Sequence, residues 1–121
     1  MLERTACFGA CPVYSLTIFG NGSVVYEGKE HVRIKGTRET TISTEAVSQL
    51  VAEFEKAGYF SMNDSYTAFG VTDMPYANTS ILIGGRTKSI THYHGDRSAP
   101  QQLTDIEDRI DEIVNSAQWI K

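Results

Sequence analysis

The residues of this sequence best equipped for chemistry are Cys7 and Cys11, inside Cys7-Phe8-Gly9-Ala10-Cys11-Pro12-Val13-Tyr14. Fully extended, their Cα atoms would stand about 13 Å apart, roughly twice the reach of a disulfide. Bonding therefore needs a turn, which Gly9 permits by taking positive φ and Pro12 ends by delivering the chain into a strand. A loop this short would contribute on the order of 2 kcal/mol by the chain-entropy model. Three fates are open: a structural staple in an oxidising compartment, a redox dithiol, or two free thiols. A dithiol wants a helix N-terminus or a cation beside one sulfur, whereas here a strand follows, Arg4 is the only cation nearby in sequence, and the spacing is Cys-x3-Cys. The staple is the favoured reading.

Other constellations are weaker. Cys7 and Cys11 with two of His31, His92 and His94 would supply a Cys2His2 set. The spacing matches no familiar zinc module, although His92 and His94 share one side of a strand with Tyr93 opposite. No metal site is expected. No Gly-x-Ser-x-Gly elbow occurs, and grouping Cys7 with His92 and Asp73 has no constraint behind it. Asp105, Glu107, Asp108, Asp111 and Glu112 lack the ligand pattern of a calcium loop and read as solvated helix acids. Gly20-Asn21-Gly22 and Gly84-Gly85 read as hairpin turns, since a phosphate loop needs a strand before it and a helix after. No catalytic residue and no cofactor is assigned.

The elements that must position these residues follow from periodicity. Tyr14, Leu16 and Ile18 alternate with polar neighbours and predict a strand from 12 to 19. Gly20-Asn21-Gly22 then turns the chain, and 23–27 returns antiparallel. The clean alternation of His31-Val32-Arg33-Ile34-Lys35 predicts a third strand, and 38–42 an edge strand. Ser43 caps a helix over 43–57 whose stripe is Val47, Leu50, Val51 and Phe54, with Gly58 as its stop. The stretch 61–77 shows neither period. Strands over 79–83 and 87–93 flank Gly84-Gly85-Arg86, and Leu103, Ile106, Ile110, Ile113 and Val114 stripe a helix over 100–117. Trp119 and Ile120 should fold back onto the core. The order ββββ-α-ββ-α predicts an α+β fold: a largely antiparallel sheet with both helices packed on one face.

At 121 residues the chain suits one domain, taken as 1–121. The net charge of −4 argues against nucleic acid, and the predicted helices hold most of the acids. No apolar run approaches the roughly 20 residues of a bilayer span. Met1-Leu2-Glu3-Arg4 is no secretory signal.

The opening segment resembles a bacterial domain family of unknown function whose members begin Cys-Phe-Gly-x-Cys-Pro-x-Tyr. The likeness continues through the Gly-Asn-Gly turn, Tyr26 and Gly28, Phe54, Asp64, Tyr66, Thr72, Asp73, Lys88, Tyr93, Gly95 and Trp119. It implies an envelope or exported protein, in the periplasm, outer envelope or secreted, with a secretory or lipoprotein-type leader and its lipid anchor absent from this sequence. It brings no activity and no catalytic residue.

The expected function is accordingly a non-enzymatic binding or interaction module of the bacterial envelope, its ligand a protein or a small molecule. The expected contact surface is the sheet face away from the helices, with Arg33, Lys35 and Arg38, joined by the 61–77 loop with Tyr66, Phe69 and Tyr76. Two rivals stand beside it: a small thiol-redox or metal-dependent enzyme using the cysteine pair, and a structural or oligomerisation domain.

Overall fold

The computed structural model describes residues 1–68 and 72–121. Seven strands form one sheet: β1 Leu2–Arg4, β2 Val13–Ile18, β3 Ser23–Glu30, β4 Gly36–Thr41, β5 Ser65–Tyr66, β6 Tyr76–Ile83 and β7 Arg86–Tyr93. They lie in the order β4-β3-β2-β1-β6-β7-β5. Every pairing is antiparallel except β5 on β7. The helices are α1 Thr44–Lys56, α2 Gln101–Val114 and α3 Ala117–Ile120, with a 3₁₀ turn at Tyr59–Ser61.

One parity of each strand faces the helices. Leu2, Tyr14, Leu16, Val24, Tyr26, Ala77 and Ile90 meet Leu50 and Phe54 of α1, Leu103, Ile106, Ile110 and Val114 of α2, and Trp119 of α3 in a single buried cluster. The α+β architecture with its helices on one face is as the periodicity predicted. The hairpin at Phe19–Ser23 closes with Gly22 N–H donating to the Phe19 carbonyl at 2.9 Å and Asn21 Oδ1 accepting from Ser23 N–H. Ser43 caps α1 by accepting from Ala46 N–H at 3.0 Å.

Four elements depart from expectation, each for a local reason. β1 is the sheet's central strand, between β2 and β6. Three residues, two of them charged, carry no period of their own, so only pairing on both sides defines them. The segment 31–35 is not a strand: His31 takes φ 52°, which ends extended geometry after Glu30. Its alternation still orders packing, since Val32 and Ile34 lie against the core and Ile34 N–H donates to the Trp119 carbonyl at 2.9 Å. The predicted helix over 100–117 stops at Val114, because Asn115 adopts the left-handed conformation at φ 58°. Asn tolerates that geometry, and Ser116 N–H then reaches back to the Asp111 carbonyl at 3.0 Å. The redirected chain lays Trp119 against Tyr26, ring centroids 4.8 Å apart, so the terminus folds back as expected. Finally, the 61–77 stretch contains β5 and the start of β6.

Gly28 shows how closely this packing is set. A Cβ there would run into the Ile34 carbonyl and the Tyr26 hydroxyl, which are joined by a hydrogen bond of 2.9 Å.

Candidate functional site

Cys7 and Cys11 are joined as a disulfide with Cα atoms 5.7 Å apart. Gly9 takes φ 131° between them, the conformation expected of the turn. The loop lies between β1 and β2 and is tied to the 72–74 segment by Phe8 N–H donating to the Asp73 carbonyl at 3.3 Å. Phe8 itself is 87% exposed, and Met74, next to that tie, is also exposed. Arg4, the nearest cation in sequence, is engaged elsewhere: it bonds both Asp111, at 2.8 Å, and Asp108, at 3.3 Å. Tyr14 donates to Asp111 Oδ1 at 2.6 Å, and Ser116 donates to the same oxygen at 2.7 Å. Burial, with the Asp111 charge beside it, drives the Tyr14 hydroxyl pKa upward.

Of the six residues expected to share a binding surface, the five that are described, Arg33, Lys35, Arg38, Tyr66 and Tyr76, are dispersed. Arg33 donates to the Gln118 carbonyl, which draws it toward the C-terminal helix. Lys35 stands 3.7 Å from Glu30 with both side chains exposed. Arg38 lies opposite Tyr26 in the ladder, hence on the helix side of the edge strand β4. Tyr66 pairs with His92, meets its ring edge-on, and accepts from Asn63 N–H. Tyr76 leans on Tyr93 at 5.1 Å and, out of phase with Ala77 and Thr79, occupies the face away from the helices. Phe69 lies outside the described residues.

A second cluster was not expected. His92, on the core side of β7, places Nδ1 2.6 Å from Glu107 Oε2, and His94, just past the strand end, places Nε2 2.8 Å from Glu107 Oε1. Glu107 is fully buried, at 0% exposure, which corrects its reading as a solvated acid. Among the described residues its ion-pair partners are the two histidines. Burial pushes its pKa upward, but the hydrogen bonds and charge of His92 and His94 outweigh this and hold it below the ordinary carboxylate range. Asp96, also buried, accepts from Ser98 Oγ at 2.6 Å, Ser98 N–H at 2.8 Å and Ala68 N–H at 3.0 Å. Those hydrogen bonds, led by the Ser98 hydroxyl, lower its pKa, and His92 is near enough to add to the effect. Nearby, Tyr59 and Thr79 share a buried hydrogen bond of 2.8 Å, and burial pushes the Tyr59 hydroxyl up to about 12.

The sequence held a trace of this cluster. Leu103, Glu107, Ile110 and Val114 recur at four, three and four residues, so Glu107 sits inside the apolar stripe of α2. Counting it as an acid hid its position. A Cys2His2 set does not assemble, because both sulfurs are bonded to each other and the group suited to metal among the described residues is His92, His94 and Glu107.

Fold and site together define an α+β domain with a short disulfide-closed loop at one end and a buried histidine-carboxylate cluster between sheet and helix. The chain belongs to the family described as Domain of unknown function (DUF6438), whose model matches residues 1–114. No curated protein matches it. No helix of the described residues is long and apolar enough to cross a membrane.

Proposed function

We propose that this chain is a non-enzymatic binding module of the bacterial envelope and that it holds a protein partner through the disulfide-closed loop. One observation carries the reading: Phe8 is 87% exposed on a loop fixed by its own disulfide and by a hydrogen bond to Asp73. An aromatic anchor held rigidly gives up little conformational entropy on binding, the property of residues that dominate protein interfaces. Met74, next in sequence to the Asp73 that holds the loop, is also exposed. The disulfide agrees with work in an oxidising compartment. Against a redox role, the cysteines sit between two strands, with no helix N-terminus beside them, and Arg4, the nearest cation in sequence, is committed to Asp108 and Asp111.

The test is a photo-crosslinking amino acid at position 8 in cells, with position 39 on the edge strand β4 as the reference. A defined adduct from position 8 that is absent from position 39 and is lost with unlabelled competitor supports the loop. Equal labelling from both positions, or none from position 8, overturns it.

A further inference from the structure

We propose that His92, His94 and Glu107 form a three-ligand site for a divalent first-row transition metal ion, with zinc the best chemical match. The three donor atoms come from β7, the turn after it and α2, and all lie within 4.8 Å of one another. Zinc binds imidazole nitrogen and carboxylate oxygen at about 2.0–2.2 Å, which places neighbouring donors roughly 3.3 Å apart in a tetrahedron. The hydrogen-bonded pairs, at 2.6 and 2.8 Å to the two oxygens of Glu107, must part by roughly 0.5 Å, and any donors nearer the 4.8 Å limit of the set must close, to reach that spacing.

Charge favours the same assignment. A carboxylate with no exposed surface needs a positive partner, yet among the described residues no Lys or Arg forms an ion pair with Glu107. Arg4 acts on Glu107 only from a distance, its direct bonds going to Asp108 and Asp111; at the carboxylate itself a histidine proton or a metal ion can supply the charge, and only the metal uses both neutral imidazoles as ligands. Two nitrogens and one oxygen suit zinc, cobalt or nickel and not magnesium or calcium, which take oxygen sets. His94 keeps 22% of its side chain exposed, so an ion can enter from that side and hold a water or ligand atom as its fourth donor. The Tyr66 ring packs against His92 at 6.5 Å between centroids and restricts how that imidazole can turn.

The experiment uses untagged chain, stripped with chelator and dialysed, and titrates it with Co²⁺ while recording the visible spectrum. The expected result is one ion per chain with the intense absorption of a tetrahedral site, displaced by Zn²⁺ and unaffected by excess Mg²⁺. His94→Gln should weaken Co²⁺ binding at least about 100-fold, more than loss of an outer partner would, with the near-ultraviolet dichroism of the fold retained. Histidine ¹⁵N spectra of the unaltered chain provide a reading that needs no variant: Zn²⁺ should move the ring nitrogens of His92 and His94 and leave those of His31 in place. Absence of binding, binding undiminished in His94→Gln, or shifts confined to His31 overturns the site.

Discussion

The disulfide loop and the histidine-carboxylate cluster are opposites in nearly every respect. The loop is local, exposed and built from residues that advertise reactivity, yet its two sulfurs are spent on each other and its outward feature is an unreactive phenyl ring. The cluster is assembled from residues up to 15 positions apart, buries a carboxylate completely and leaves its donors bonded only by hydrogen bonds. Short sequence spacing therefore marked a mechanical device, whereas the chemically capable site required a strand and a helix to meet. Exposure divides the two regions further: a side chain on the loop can change without strain to the core, while a change in the cluster must be felt throughout it.

Glu107→Ala tests that contrast most severely. It leaves two imidazoles facing a cavity, and removal of one partner from a buried pair typically costs 3–5 kcal/mol. Urea denaturation of the metal-free chain should show a loss of about 3 kcal/mol or more; a loss below 1 kcal/mol would mean the cluster is not a unit of the core.

The paired substitution Cys7→Ser, Cys11→Ser should cost about 2 kcal/mol by the chain-entropy model, with far-ultraviolet dichroism unchanged. A loss equal to that of Glu107→Ala would erase the division between local brace and core.

Alkaline titration sharpens the core side of the comparison with a smaller effect. The Tyr59 hydroxyl is raised to about 12 by burial, against about 10 in an unfolded chain. Its contribution to stability is thus fully present below pH 10 and is lost as pH rises through the folded value, because the unfolded state gives up its proton first. Tyrosinate absorbance should lag that of a denatured sample between these limits. Coincident curves would contradict the burial.

The smallest expected change in stability comes from Phe8→Ala, under about 0.5 kcal/mol for so exposed a position, together with loss of the adduct partner's binding. A larger loss of stability would show the ring to be packed, not presented.

Much of the fold was legible because its main elements carry their own signals. The stripe of α1, the serine that caps it and the turns at 20–22 and 84–85 all act within a few residues. The departures lie where geometry at one residue overrules a pattern. His31 and Asn115 take left-handed backbone, which ended a strand and a helix that side-chain periodicity alone continued. For the site, the cysteine turn was legible from Gly9, but the placement of Arg33 was not: alternation put it on a strand, whereas the chain at 31–35 is not extended and Arg33 donates to the Gln118 carbonyl.

By itself the sequence determined which faces are apolar, where hairpins turn and that Cys7 and Cys11 can meet, because these depend on torsions and spacings of a few residues. Tertiary structure alone decided that Leu2–Arg4 is the central strand and that Glu107 meets His92 and His94. Both follow from pairing and packing between distant segments, where a residue's role is set by the neighbours that remove it from water.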